Sequence, residues 1–338
     1  MILSRQKLFE LGLENGLRYL DRKAGLCFYS ADHRPGFQRR LHDDAQSTVL
    51  TAGGLLIRDA PGDSALALQI LRALARTEPS WNVGFRLFLL CWIANEMLRA
   101  GRRDAELNAA LKEAIVGAAG VVAARRPGHV HRPGYTNFWL LDLAGLILAG
   151  EYLAQDAPPC VGAALCRDGR TQRPDGSCSR DRSRHKAAPT FGTAHSPAEL
   201  RQRGLAMLRE FVRLQSRLDA PEEFNSPTYF PVQVSALIGL RQFCADPAVV
   251  RRAARLEKWL WRHFVRHYDE AAGVLTGPWS RAYEEDRDGQ QPLIRLMMAG
   301  FRDDAPAWKW VAAQVRRQPP DLAWGILFAR LRPGADRQ

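Results

Sequence analysis

Several signatures that would fix a chemistry are missing. There is no G-x-G-x-x-G after a strand-like run, no G-x-x-x-x-G-K-[ST] and no G-x-S-x-G elbow, so nucleotide-driven chemistry and the usual serine hydrolysis have no support. No fixed-period repeat runs along the chain, which argues against tetratricopeptide or ankyrin arrays. Long apolar runs are also lacking: the most apolar stretch, 138–154, is interrupted by Asp142 and Glu151 and is too short and polar for a comfortable membrane span. The first twenty residues, MILSRQKLFELGLENGLRYL, carry Arg5, Lys7, Glu10 and Glu14 in place of the apolar core and cleavage site of a signal peptide. A cytoplasmic, reducing setting is therefore expected, without disulfides. Of the six cysteines, Cys91 and Cys244 sit in apolar surroundings and read as buried thiols. Cys160, Cys166, Cys178, His185 and His195 match none of the CxxC zinc spacings, and His263 and His267 lack the glutamate of an HExxH pattern. No metal and no cofactor is expected.

What is present is helix-forming sequence in quantity. The 338 residues are 46% hydrophobic and 25% charged, enough for a sizeable core. The net charge of +12 favours acidic partners in general, but the basic pairs (Arg39–Arg40, Arg102–Arg103, Arg125–Arg126, Arg251–Arg252, Arg316–Arg317) are scattered, as on a solvated surface. Apolar residues recur at three- and four-residue steps, as in Leu66, Ile70, Leu71 and Leu74. The pattern predicts helices near 4–20, 42–58, 63–77, 81–100, 104–124, 136–155, 197–218, 227–244, 247–267, 290–300, 305–317 and 321–331. Few alternating runs point to strands, so the fold class is all-α. Ser80, Thr136, Ser226 before Pro227, and Asp246 before Pro247 read as helix starts. Short connections make helical hairpins, and without a repeat period a closed ring of hairpins in one domain, 1–338, is preferred over an open solenoid. The Pro-, Gly-, Ser- and Arg-rich segment 158–197 reads as a flexible loop insertion.

Three stretches place polar and aromatic residues where helices begin: PGYTNFWLLDLAG (133–145), EEFNSPTYFPVQ (222–233) and GPWSRAYEEDR (277–287). In the second, Asn225 and Tyr229 flank a helix start beside Glu222 and Glu223, where free N–H groups and the helix dipole receive an anion. In the first, Tyr135 and Asn137 flank Thr136. The third offers Trp279, Arg281, Tyr283 and the carboxylates of Glu284, Glu285 and Asp286. Each group also has a purely structural alternative: Asn225 and Tyr229 closing a tight turn, Arg281 pairing with Glu284 or Asp286, Asn137 starting a helix. His129 and His131 lie in an Arg/Pro/Gly loop, which reads first as solvated and second as an acid–base position.

In this order the three stretches resemble a family of bacterial and fungal proteins with an (α/α)-toroid fold, similar to six-hairpin glycosidases and toroid polysaccharide lyases. The resemblance covers roughly 130–290, with EFNSPTY its most specific part. A tyrosine-threonine-asparagine helix start matches Tyr135–Asn137, and a glycine-proline-x-serine-arginine-x-tyrosine loop matches Gly277–Tyr283. Trp279 stands in that loop where the family often has histidine. The resemblance implies a six-hairpin-like toroid that binds ligand in a funnel at one end, lined by these stretches.

The expected function is that of a carbohydrate-active enzyme acting on a small saccharide or a related metabolite, the basic net charge tipping the expectation towards an acidic substrate. As a lyase, Asn225 and Arg281 would neutralise a uronate carboxylate while Tyr229 or Tyr283 moves the proton, with His131 as the alternative. As a glycoside hydrolase, Glu223 would work with Glu285 or Asp286. Tyr135, Asn137, His131, Trp279 and Glu285 would contact substrate. Two alternatives stand beside this: a non-catalytic helical protein that binds a ligand or partner through Tyr135, Tyr229, Trp279 and Tyr283, or a toroid enzyme with a non-sugar, isoprenoid-like substrate. Nucleic acid and membrane are not expected partners.

Overall fold

A computed structural model describes residues 4–29, 42–43, 45–77, 82–126, 131–155, 195–218, 220, 223, 225–280, 291–302, 309–311 and 320–334. These residues are overwhelmingly helical. In chain order the helices are α1 (Arg5–Tyr19), α2 (Ala45–Arg58), α3 (Asp63–Arg76), α4 (Val83–Arg99), α5 (Ala105–Ala124), α6 (Thr136–Ala154), α7 (Pro197–Gln215), α8 (Tyr229–Phe243), α9 (Pro247–Val265), α10 (Pro292–Arg302) and α11 (Trp324–Arg330). A 3₁₀ turn over Pro320–Ala323 leads into α11. The predicted loop insertion at 158–197 lies outside the described residues up to 194, as does most of the helix expected at 305–317.

The helix starts follow from local chemistry. Ser4, Asp104 and Asp246 each accept a backbone N–H from the first turn of α1, α5 and α9. Ser196 and Glu199 form a reciprocal capping box at α7, with Pro197 at the first helical position. Two expected starts shift. α6 is capped at Tyr135, with Thr136 already helical. α8 begins at Tyr229, because Ser226 Oγ first closes a turn by accepting the Tyr229 N–H at 3.2 Å. The sequence reading also passed over short strands: Leu20–Asp21 (β1) pairs antiparallel with Leu26–Tyr29 (β2), which pairs with His42–Asp43 (β3), and Tyr268–Asp269 (β4) pairs with Val274–Leu275 (β5).

Helix directions can be read from side-chain neighbours. Gly84 of α4 abuts Asp142 of α6, and Leu87 abuts Gly145, so the two helices run the same way. α8 does likewise, since Gln233 in its first half joins the residue holding Asn137, and the Cys244 thiol at its end donates to Glu151. α2 sets Gly53 against Trp92 and Ile93 and its Leu56 carbonyl on Arg102 just past α4, and α11 sets Trp324 near Phe85 and Arg330 on Glu96, so both align with α4. α7 runs back along α6, from Pro197 beside Gly150 to Met207, whose carbonyl accepts the Trp139 indole N–H at 3.1 Å. α9 runs back along α8, and α1 along α2. Among the described helices α2 packs on α4, α4 on α6, α6 on α8, α8 on α10, α10 on α11, and α11 on α2 again.

α4 and α6 are buried along nearly their whole lengths, which explains why their sequences are apolar on every face. By length and composition α5 and α6 could each cross a membrane, but 83% of the apolar window of α6 is buried against the other helices, as a core helix would be.

Candidate functional site

Glu223 joins two of the singled-out stretches. Its carboxylate is 3% exposed, and Oε2 accepts the backbone N–H of Asn137 at 2.8 Å and the Gln233 side-chain amide at 3.3 Å. Asn137 is the second residue of α6, so a carboxylate from far along the chain caps the positive end of that helix. The Asn137 side chain is different. It is fully buried, and among the described residues neither its amide oxygen nor its amide nitrogen has a hydrogen-bond partner. α4 covers the face of α6 that carries Phe138, Asp142 and Gly145, and α7 covers the face of Trp139, Ile147 and Gly150. Asn137 shares a stripe with Leu141 and Leu148, turned away from α7.

Asn225 holds the next segment in place. Its backbone is left-handed, with φ of 52°, a conformation that asparagine tolerates better than most residues. The side-chain nitrogen donates to the carbonyls of Thr276 (2.6 Å) and Pro278 (2.7 Å), which pins the segment following β5 to the turn before α8. Trp279 is fixed in the same segment by its indole N–H on the Leu275 carbonyl at 2.7 Å, and the buried Gln291 amide donates to that carbonyl at 2.8 Å. Both amide hydrogens of Asn225 are thereby engaged. That leaves no donor for the carboxylate-neutralising role considered from the sequence, and Oδ1 is buried without a partner. A cavity of about 10 Å³, room for one water, lies between Glu223, Asn225, Gln233 and His263 and the apolar Phe230 and Phe264.

The remaining candidates divide. Tyr229 is half-buried at the first position of α8. Tyr135 is buried, its ring 5.3 Å from Phe138. His131 belongs to a separate cluster: its Nδ1 lies 3.1 Å from Asp142 Oδ2, out of hydrogen-bond alignment, and its ring packs 5.1 Å from Trp139. Arg125, at the end of α5, bonds the same oxygen at 2.8 Å. That cluster sits on the α5 and α7 side of α6, away from the Asn137 stripe. Arg281, Tyr283, Glu284, Glu285 and Asp286 lie outside the described residues, as do Glu222, His129, Cys160, Cys166, Cys178 and His185. No group of three metal-ligating side chains occurs among the described residues. Gln233, Gln291 and Asp142 were missed from the sequence, although a glutamine in PVQVSALIGL and an aspartate in LLDLAGLIL are conspicuous polar residues in apolar helices.

At the other end of α6 and α8 a cavity of about 680 Å³ is lined by Glu151, Tyr152, Arg201, Phe243 and Asp246, none of them a site candidate from the sequence. Arg201 bonds Asp246 at 2.7 Å and approaches Glu151 at 3.5 Å. Burial pushes the Tyr152 hydroxyl up to about 12, and burial with the Glu151 contact does the same to the Cys244 thiol.

Residues 188–333 match a family described as a domain of unknown function (DUF8769). The match takes in Glu223, Asn225, Tyr229 and Trp279 and leaves Asn137 and His131 outside it. No curated protein and no solved structure matches the chain.

Proposed function

We propose that the chain is an (α/α)-toroid enzyme that hydrolyses a small saccharide at the end of the ring where the inner helices begin. The circuit α2, α4, α6, α8, α10, α11 supports a toroid, with α1, α7 and α9 among its outer helices. The observation that carries the site is Asn137. A fully buried amide with no partner is costly, on the order of 1–3 kcal/mol per unsatisfied group, and this one sits in the first turn of an inner helix on the stripe turned away from the outer layer. Such a residue belongs where a ligand's polar atoms complete it.

Hydrolysis is favoured over elimination because Asn225, with both N–H groups on backbone carbonyls, cannot neutralise a uronate. Glu223 supplies a buried carboxylate for acid–base work. The partner carboxyl, as general acid, gives its proton to the glycosidic oxygen as the C–O bond breaks, and Glu223, as general base, takes the proton of the water that adds at the anomeric carbon. The partner carboxylate would come from Glu285 or Asp286. The test is an oligosaccharide panel read two ways: new reducing ends mark hydrolysis, and ultraviolet absorbance of a conjugated double bond marks elimination. Glu223→Gln should bind but not cleave, since the amide oxygen still accepts the Asn137 N–H. Cleavage by Glu223→Gln at the wild-type rate would remove Glu223 from the mechanism.

A non-catalytic binding protein is the second reading. It is favoured by the structural tasks already held by Glu223, which caps α6, and Asn225, which pins 276–278. It predicts ligand-induced stabilisation with no cleaved product from any member of the panel.

A further inference from the structure

The polar atoms left available at this end differ from what the basic composition of the chain would lead one to expect. We infer that the ligand is a neutral, hydroxyl-rich saccharide and not a uronate or another carboxylated sugar, an inference that rests on placing the ligand site at this end. Asn225 is locked as an acceptor. An amide nitrogen carries two hydrogens, both directed at the Thr276 and Pro278 carbonyls, so Oδ1 alone faces away from them, buried and unpartnered. Only a donor satisfies it, either a water in the cavity of about 10 Å³ or a ligand hydroxyl reaching that position. A sugar hydroxyl donates and accepts, whereas an ionised carboxylate only accepts and would meet an oxygen lone pair.

The surroundings carry the same sign. Among the described residues the cavity beside Asn225 is lined by the Glu223 carboxylate, the Gln233 amide and the His263 imidazole and by no Lys or Arg. The α6 N-terminus, which would otherwise attract an anion, is occupied by Glu223 from within the chain. A second anion here would be repelled by the first across a low-dielectric interior. Asn137 adds one donor group and one acceptor, both unpartnered, and a hydroxyl can engage either. Several arginines of the described residues pair with acids away from this cavity, Arg58 on Asp63, Arg125 on Asp142, Arg241 on Glu257 and Arg330 on Glu96.

The experiment uses the full chain and two probe sets matched in length, neutral gluco- and manno-oligosaccharides and the corresponding uronate oligosaccharides, with binding read by calorimetry and by thermal shift. Wild type should bind members of the neutral set and none of the uronate set. Asn137→Leu removes the buried amide while nearly conserving volume. It should melt at or above the wild-type temperature, because an unsatisfied polar group is replaced by an apolar one, and lose affinity for the neutral ligand by about tenfold or more, the worth of one to two hydrogen bonds. Preferential binding of uronates would overturn the inference while leaving a saccharide site at this end intact. Asn137→Leu melting well below wild type, or binding the neutral ligand equally well, would overturn it too. Binding of neither set by wild type would sink the site reading and this inference together.

Discussion

Asn225 combines a left-handed backbone with an amide that ties two carbonyls, and these contributions can be separated. Asn225→Gly keeps the backbone conformation available and loses the side-chain hydrogen bonds to Thr276 and Pro278. Asn225→Ala loses the bonds and also places a Cβ at positive φ. The alanine variant should be destabilised by roughly 2–4 kcal/mol and the glycine variant by roughly 1–2 kcal/mol less than that, measured by denaturant unfolding. Equal losses would mean that the φ of 52° carries no cost, contrary to this account. Asp142 shows the same economy of placement. Its Oδ2 takes Arg125, and its Oδ1 lies where a Cβ on Gly84 would come within 2.1 Å, so only glycine lets α4 approach α6 at that level.

Between elements, the turn joining α2 to α3 has an acid-sensitive fastening. The Arg58 guanidinium bonds both oxygens of Asp63, and with the Ala60 N–H it holds that carboxyl below the usual aspartate range. A depressed folded-state value means the stabilisation is fully present above the unfolded pKa of about 3.9 and is lost as pH falls through the folded value. Wild-type stability should therefore fall as pH drops below about 4, and Asp63→Asn should be less stable at neutral pH with a flatter acid limb. Parallel acid limbs in the two proteins would show that Asp63 does not contribute. Helices were legible in the sequence because their stop and start residues are local: Asp246 with Pro247, and the three- and four-residue apolar spacing of α3, act within a turn or two. Ser226 misled because its hydroxyl closes a turn before α8 in place of capping the helix itself. The cap on α6 could not be read at all, since Glu223 arrives from 86 positions away. The small strands escaped because two-residue pairings have no alternation to detect.

For the whole molecule, the polar residues picked from three separate stretches were only partly gathered. Asn137 is hydrogen-bonded to Glu223, and Asn225 and Trp279 both bond carbonyls of the 275–278 segment, whereas His131 joins Asp142 and Arg125 on another face of α6. Helical periodicity shows which residues share a face but not which helices become neighbours, and that is why His131 and Asn137, close in sequence, part company in space. The shared direction of α2, α4, α6, α8 and α11 also gives this set of helices two distinct ends. One carries the buried amides, the other the cavity of about 680 Å³. Hydrogen exchange of the full chain, with and without a saturating neutral oligosaccharide, tests which end takes the ligand. The account predicts new protection in peptides spanning 135–141 and 223–233, with exchange unchanged at 148–155, 197–201 and 243–246. Protection confined to the latter three segments would place the ligand at the opposite end and contradict the account.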